Sequence, residues 1–387
     1  MTEKHSNVVG GSTAKRTIKC PGWRKLSEQA PRDEGSIYAR EGTMLHEVIA
    51  QVLGENLDPE KLVGVEVAGV VFTADLLEEK LLPNLDAFDE YAVPHYLEFE
   101  VEQRVAIPEI PGAFGTADII GMDSDDMFCC FDWKFGSGVA VSPEEIDQGL
   151  FYTAGALRKP EYKDWVDRCA GVRIGIIQHG RLETWDTTVE RVEQFVQELE
   201  MAVRLGDSEN PPFAMGDHCR FCPCMTICPE HQDLAHAALS ADGWGDNLAY
   251  WIEHADQLIE FGNAVKNKTH DYMENGGTVP GWKLVAKRAR RGWGDAEAAE
   301  EFLRRVARRS SNQLKVSELF KHTLLTPAQI EKVFKSEGVA LDQLAEYIVN
   351  RSSGTTLAPE SDSRKEVKLT ADRLQEIATR LSASTGS

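Results

Sequence analysis

The 387-residue sequence contains no apolar run that approaches the roughly eighteen residues a helix needs to cross a bilayer. Its N-terminus is polar and rich in Gly, Ser and Lys, and it lacks the apolar core of a secretory signal peptide. These two absences argue against membrane insertion and against secretion. We therefore expect a cytoplasmic protein that makes no contact with a membrane.

Positive charge is also scarce, with 42 Lys and Arg against 63 Asp and Glu and a formal net charge of −21. Proteins that coat duplex DNA are usually basic, so any contact with nucleic acid has to come from a local patch. One candidate is the segment 283–309, where nine basic residues outnumber four acidic ones. Its arginines could reach phosphate or pair with glutamates of the same segment, and the sequence leaves both interpretations open.

The chain is long enough for two domains, and its 42% apolar and 27% charged residues are ordinary for a globular protein. Changes in composition divide it into four segments. We predict a disordered N-terminus over 1–15, a core over 16–232 that ends with a cysteine cluster, a mainly helical C-terminal domain over 233–350, and a flexible tail over 351–387 with a short helix near 370–382. Within the C-terminal domain we predict helices over about 247–275, 295–309, 326–337 and 340–350, and a short strand over Trp282–Ala286.

The spacing of apolar residues changes from helical to alternating at Leu97, where apolar and acidic residues alternate as in a half-buried strand. The turn-forming segment Asp123–Asp126 predicts a hairpin between the next two strands. Ser142 and Pro143 suit a helix N-cap and first turn, so a helix is predicted from there to Leu157. This order of elements predicts an α/β core with a mixed sheet. The further predicted strands are Phe114–Met122, Met127–Phe135, Val172–Gln178 and Leu182–Thr187.

Two carboxylates and a lysine carry the main chemical signal. If the hairpin pairs as predicted, Asp118 lies opposite residue 131 or 132, and Asp132 and Lys134 share one face of their strand. Carboxylates suit Mg²⁺ or Mn²⁺, which activates water for phosphodiester hydrolysis, and an ammonium group can orient that water. The alternative is an exposed ion pair on an amphipathic hairpin. The strand is otherwise nearly all apolar, which favours the metal site because an unpaired buried charge is costly.

Three further polar residues fit a site of this kind. Gln148 and Tyr152 are four residues apart and therefore share one face of the predicted helix that follows Lys134. His46 lies on the apolar stripe of an earlier helix. Each has an ordinary alternative: a solvated glutamine, a core tyrosine and a buried structural histidine.

Eight cysteines are present, and four of them have the spacing of a metallocluster: Cys20, then Cys219, Cys222 and Cys228. In a reducing compartment, clustered cysteines are more often metal ligands than disulfides. Four thiolates can hold either a 4Fe–4S cluster or zinc. For zinc, Cys224, His218 or His231 could complete a local site. The remaining cysteines, Cys129, Cys130 and Cys169, are predicted to be buried apolar residues.

Taken in order, His46, Asp118, Asp132-Trp133-Lys134 and Gln148-x-x-x-Tyr152 resemble the RecB-like branch of the PD-(D/E)XK nuclease superfamily, over roughly residues 15–230. The cysteine spacing resembles that of iron–sulfur members such as AddB and the CRISPR-associated RecB-like nucleases. The segments Gly115–Asp118 and Phe131–Gly136 are similar to phage and prophage members. Two departures are Trp133, where an aliphatic residue is common, and Cys224, an additional thiol.

The resemblance implies a PD-(D/E)XK restriction-endonuclease-like core with a mixed central sheet and an added, mainly helical C-terminal region. It implies that His46, Asp118, Asp132 and the carbonyl of Trp133 bind catalytic Mg²⁺ or Mn²⁺, that Lys134 positions water, and that Gln148 and Tyr152 contact DNA or orient the lysine. It also implies a 4Fe–4S cluster on Cys20, Cys219, Cys222 and Cys228.

The activity implied is that of a metal-dependent DNA nuclease, an exonuclease by analogy, acting in phage DNA replication or recombination in the bacterial host cytoplasm. Single- or double-stranded DNA is then the substrate, with a phage recombinase or single-strand-binding protein as a further candidate partner. Two competing hypotheses are a catalytically silent DNA-binding or recombination-mediator protein and a zinc-stabilised protein–protein adaptor.

Overall fold

The computed structural model of the protein forms two compact units, residues 1–261 and 262–387. The predicted boundary at residue 232 therefore falls inside the first unit. The structure describes residues 6–30, 37–136, 138, 140–240, 247–286, 290–309, 319–321, 323–324, 327–336, 344, 347–351, 355–359 and 362–367.

The first unit is built on a five-stranded mixed sheet in the order β3-β4-β5-β6-β7. Neighbouring strands are antiparallel except for β5 and β6, which are parallel. This confirms the predicted α/β class and the mixed central sheet, and the four strands predicted with both bounds form within one residue of them, whereas β3 extends to Ala106. The strands are β3 (Glu98–Ala106), β4 (Phe114–Met122), β5 (Met127–Lys134), β6 (Gly171–Gln178) and β7 (Arg181–Thr187), after a small hairpin of β1 (Glu66–Val67) and β2 (Val70–Val71).

Helices cover both faces of this sheet. Alternate residues of β5 enter different apolar cores: Phe128 and Cys130 join one, while Cys129, Phe131 and Trp133 join the other. Full burial of one such aromatic side chain contributes about 2–3 kcal/mol. The helices of this unit are α1 (Gly11–Lys19), α2 (Trp23–Ser27), α3 (Ile37–Glu55), α4 (Ala74–Leu76), α5 (Leu82–Ala92), α6 (Asp147–Ala156), α7 (Lys163–Arg168), α8 (Val189–Gly206) and α9 (Pro229–Ser240), with a π-turn over Leu77–Leu81 joining α4 to α5.

The predicted turn at Asp123–Asp126 forms, and a second hairpin turn joins β6 to β7. At the β4–β5 turn, the Asp123 carboxylate accepts hydrogen bonds from the backbone N–H groups of Asp125 (2.9 Å) and Met127 (3.0 Å). At the β6–β7 turn, His179 and Gly180 both have positive φ, 54° and 69°. That combination matches the right-handed twist of a hairpin.

The predicted disorder of residues 1–15 is wrong for the described part of that segment. The Ser6 hydroxyl donates to the Gly112 carbonyl (2.5 Å), Val9 is buried, and α1 begins at Gly11. The polar, glycine-rich composition suggested disorder, but tertiary packing of Ala14 and the residues around it orders the segment.

The start of α6 also differs from the prediction. The helix begins at Asp147 and not near Ser142. The Ser142 hydroxyl accepts from the Glu144 N–H (3.3 Å) in a local turn, and Glu145 has a φ of 51°. A left-handed residue cannot belong to an α-helix, so the helix begins only after it.

The second unit contains strands as well as helices. The predicted strand Trp282–Ala286 is confirmed as β8. It pairs with the strand Thr355–Pro359, so the prediction of a flexible tail is wrong for residues 355–359. The helix predicted over 340–350 is wrong at Ile348, where a strand begins, and the one near 370–382 lies outside the described residues. The elements are α10 (Leu248–Glu274, which starts in the first unit), β8, β9 (Arg290–Trp293), α11 (Ala296–Arg309), β10 (Phe320–Lys321), β11 (Thr323–Leu324), α12 (Pro327–Ser336), β12 (Ile348–Arg351) and β13 (Thr355–Pro359).

The basic segment 283–309 is only partly described, because residues 287–289 are outside the described set. Where it is described, Arg304 pairs with Glu300 at 2.7 Å. This contact agrees with the interpretation in which the arginines pair with glutamates of their own helix.

Throughout the described part of the chain, every helix is too short or too polar to span a bilayer.

Candidate active site

Asp118 lies where β4 and β5 separate. The ladder between these strands ends at the pair Ile119 and Phe131, so Asp118 is the first residue beyond it and faces Asp132. Its carboxylate takes the place of the lost ladder bond, because Oδ2 accepts from the Trp133 N–H at 2.8 Å. Asp118 is only 8% exposed and Asp132 only 3%. The hairpin register therefore brings two buried carboxylates together, as the sequence predicted.

The amide of Gln148 joins Lys134 to the second carboxylate. Gln148 Oε1 accepts from Lys134 Nζ (2.8 Å), and Nε2 donates to Asp132 Oδ1 (2.8 Å) and to the Tyr152 hydroxyl (3.4 Å). A glutamine can do this because its amide carries a donor and an acceptor. Of the two roles predicted for Gln148, orientation of the lysine is the one that these contacts support.

The second oxygen of Asp132 faces a positive charge. Its Oδ2 is buried, and Lys134 Nζ lies 2.6 Å away as an ion-pair partner. Burial and the nearby charge of Asp118 raise the pKa of the Asp132 carboxyl, while the Lys134 charge opposes that shift. An acceptor oxygen in this setting is suited to a divalent cation, which stabilises the ionised form.

His46 approaches the carboxylate of Asp118 from α3, which packs on one face of the sheet. Its Nδ1 lies 3.3 Å from Asp118 Oδ1, and its ring makes an edge contact with Phe135. Burial lowers the pKa of His46, but the charge of Asp118 and its hydrogen bond outweigh that effect, and the net direction is upward.

Glu102 on β3 is a candidate ligand that the sequence did not single out. One ligand atom from each of His46, Glu102 and Asp118 lies within 4.8 Å of the others. Glu102 also has a φ of 52°, a strained conformation for a residue inside a strand. In the sequence it was one of several alternating acidic residues, Glu98 and Glu100 among them, and alternation alone could not distinguish it.

The structure therefore brings together every side chain predicted for the metal and the catalytic step: His46, Asp118, Asp132, Lys134, Gln148 and Tyr152. Trp133 contributes its backbone N–H to Asp118, and a ligand role for its carbonyl stays a prediction. A cluster of hard oxygen ligands beside a half-buried ammonium group suits a divalent cation and an anionic substrate.

The N-terminal end of α1 packs directly on this cluster. A Cβ added at Gly11 would lie 2.5 Å from Cε1 of the Tyr152 ring, whereas one added at Gly42 would meet nothing within 4 Å. We expect Gly11→Ala to lower the free energy of unfolding by about 1–3 kcal/mol through overpacking. Gly42→Ala, on α3, is the matched control and should raise it by about 0.4–1 kcal/mol. Urea titrations of the two variants check this, and a Gly11→Ala protein as stable as its parent would contradict the close packing.

A second cluster lies at the other end of α1. Cys20, which follows the helix, is buried with Cys219 and Cys228, and these three line a cavity together with Cys222 and Cys224. Burial raises the pKa of the Cys20 thiol, and the charges of Cys222 and Cys228 raise it further. Residues about 200 positions apart in the sequence therefore meet here.

Arg16 fixes α1 against the cysteine loop. Its guanidinium donates to the backbone carbonyls of His218 (3.2 Å) and Phe221 (3.3 Å). Cys224 differs from the other thiols of the cavity because its Sγ donates to the Trp23 carbonyl at 3.6 Å. Its hydrogen bond to Cys222 lowers the pKa of the Cys222 thiol to about 6.

His231 also lines the cysteine cavity. It is 2% exposed, and neither ring nitrogen forms a hydrogen bond within the described residues. A buried polar group of this kind normally has a partner.

By fold and by site, the first unit is a mixed α/β protein with a carboxylate-rich centre and a separate cysteine cluster. The chain belongs to the family described as "Protein of unknown function (DUF2800)", whose model matches residues 5–365. A solved structure titled "Crystal structure of SSO0001" matches at 16% identity over 59% of this chain and 88% of that one, with a TM-score of 0.26. That likeness carries no conclusion about the site.

Proposed function

We propose that this protein is a Mg²⁺- or Mn²⁺-dependent DNA nuclease with a RecB-like PD-(D/E)XK core. The observation that carries the proposal is the convergence of Asp118, Asp132 and Lys134, joined by Gln148, at the point where β4 and β5 separate. The ordered match of His46, Asp132-Trp133-Lys134 and Gln148-x-x-x-Tyr152 to that class supports it. By the same resemblance we propose an exonuclease of phage origin acting in the host cytoplasm.

Asp118, Asp132, His46 and Glu102 would hold the ion. The fit rests on the donor set, which is rich in carboxylate oxygens, and on the buried Oδ2 of Asp132. When bound, the ion supplies Lewis-acid chemistry toward a phosphodiester and makes water more acidic.

The chain's own groups perform the remaining tasks. Lys134 places an ammonium group beside Asp132, where it can stabilise negative charge as it develops on phosphate. Gln148 fixes the direction of that ammonium group, and Tyr152 holds the Gln148 amide from the next turn of α6. This preorganisation needs no rearrangement when DNA arrives.

We propose that Cys20, Cys219, Cys222 and Cys228 hold a 4Fe–4S cluster. The support is that all four line one cavity, and that one cysteine before the core and three after it have the spacing of the iron–sulfur members. The unpaired nitrogens of His231 are suited to donate a hydrogen bond to a sulfur of that cluster.

The proposal is tested by incubating anaerobically purified protein with end-labelled single- and double-stranded DNA and Mn²⁺. An exonuclease releases the label as mononucleotides, whereas an endonuclease gives a ladder of fragments. Chelation of the metal should stop the reaction. DNA binding without cleavage would favour the silent recombination mediator, and colourless zinc protein that ignores DNA would favour the adaptor.

Affinity for Mn²⁺ is expected to fall as the pH is lowered. Ligands bind metal in their deprotonated forms, so protons compete with the ion. Because the pKa values of His46 and Asp132 are both raised, this competition begins at a higher pH than for ordinary side chains. Calorimetric titrations at about pH 8 and about pH 6 measure the effect.

His46→Gln is the control for this pH dependence. It should bind Mn²⁺ more weakly at the higher pH but lose less affinity on acidification, because one competing protonation is removed. Wild-type affinity that does not change with pH would contradict the assignment of these ligands.

A further inference from the structure

Phe221 is an exposed aromatic residue at the tip of the cysteine loop, between Cys219 and Cys222. It is 84% exposed, and its φ is 63°, a conformation unusual for a bulky residue. Neither feature stabilises the fold. A large apolar side chain held outward by a strained backbone calls for a role outside the core.

The loop holds this side chain in a fixed direction. Arg16 donates to the carbonyls of residues 218 and 221, at 3.2 and 3.3 Å, and so anchors the loop on both sides of Cys219. The Arg220 guanidinium lies over the Phe221 ring, 5.2 Å from its centroid. An aromatic face flanked by a guanidinium group is the combination that stacks on an unpaired base and contacts its phosphate.

The surroundings are basic even though the chain as a whole is acidic. Residues 11–27, which form α1, α2 and the connection between them, contain five basic residues and no acidic one. Two of the five, Lys15 and Arg24, pair with the exposed Asp217 and Asp207. The net local charge remains positive, which suits a polyanion.

Helix α1 connects this patch to the candidate active site. Its first residue, Gly11, contacts the Tyr152 ring, and its last turn leads to Cys20 in the cysteine cavity. Nine residues at about 1.5 Å each give a path of roughly 13 Å. A strand of a few nucleotides can cover that distance.

We propose that Phe221 and Arg220 form a stacking platform for an unpaired base of single-stranded DNA whose backbone runs along α1 to the active site. This inference rests on the proposed nuclease function and adds to it a preference for unpaired nucleotides. It also assigns the DNA contact of the first unit to α1 and the cysteine loop.

The test measures binding of a fluorescent single strand of about 16 nucleotides by anisotropy, in the Asp132→Asn background so that the DNA stays intact. Phe221→Ala should weaken binding by about fivefold to a hundredfold, and Phe221→Trp should preserve it. Leu239→Ala is the matched control, because Leu239 is an equally exposed apolar residue (88%) that lies on α9, outside α1 and the cysteine loop. This variant should bind the strand with the affinity of the parent protein. Arg220→Gln should lower the slope of log affinity against log salt by about 0.7.

A strand of the same length made of abasic sites separates stacking from charge. It should bind the parent and Phe221→Ala equally, because no base is present to stack. Equal affinity of these two proteins for the base-bearing strand would overturn the platform, even if the nuclease function is correct. If the wild-type protein binds the strand through Phe221 but never cuts DNA, the stacking platform is supported and the nuclease function is refuted. Absence of any DNA binding would overturn both.

Discussion

Asp132→Asn is expected to reduce metal-dependent DNA cleavage by about a thousandfold or more while the protein stays folded. The asparagine keeps the size of the side chain, and its Oδ1 can still accept from Gln148 Nε2, as Asp132 does at 2.8 Å. It removes the negative charge from Asp132 Oδ2, the buried oxygen that lies 2.6 Å from Lys134 Nζ and that we propose binds the metal. Cleavage of end-labelled DNA by equal amounts of the two proteins measures the loss.

The same substitution should not lower stability in the absence of metal. An acid whose pKa is raised by folding contributes stability only below its folded pKa, and that contribution is lost as the pH rises. Burial raises the pKa of Asp132 in this way, so its ionised form opposes folding at neutral pH. We expect metal-free Asp132→Asn to melt at or above the temperature of its parent. A folded variant that cuts DNA at the parental rate would remove Asp132 from the site.

Cys20→Ser is expected to abolish the brown colour that the proposed 4Fe–4S cluster would give the protein, and to lower its midpoint of thermal unfolding by more than about 10 °C. Cys20 joins α1 to the loop of Cys219, Cys222 and Cys228, and a bound cluster would therefore close about 200 residues of chain. Its loss frees the C-terminal end of α1, whose other end packs on Tyr152. Cleavage should therefore fall as well, although Cys20 is remote from the carboxylates in sequence.

Cys224→Ser is the matched control, because Cys224 lines the same cavity but donates to the Trp23 carbonyl. It should keep the visible absorption, which bleaches on reduction. Absorption spectra and iron analysis of anaerobic preparations check both variants. Colour retained in Cys20→Ser, or a colourless wild type with one equivalent of zinc, would overturn the iron–sulfur assignment.

Sequence alone could predict the sheet and most of the site because the signals there are local. Alternation gave the strand β3, and the turn residues Asp123–Asp126 set the register that places Asp118 beside Asp132. The four-residue spacing of Gln148 and Tyr152 was sufficient to put both on one face of α6. These features follow from backbone periodicity and turn chemistry.

The parts that sequence could not predict depend on tertiary contacts. The N-terminal segment is ordered because Gly11 packs against Tyr152 and Ala14 is buried. The polar composition of the segment gave no sign of these contacts. Glu102 is distinguished from neighbouring acids only by its backbone conformation and its distance to His46. The cap residues Ser142 and Pro143 matched a helix start, yet the left-handed Glu145 delays it.

The most direct test of the central claim is the anomalous diffraction of manganese in crystals grown with Mn²⁺. The account predicts a peak in contact with the carboxylates of Asp118 and Asp132 and close to His46, and its loss in crystals of Asp118→Asn. Strong manganese peaks found only elsewhere on the protein, with these carboxylates bonded to protein groups alone, would contradict it.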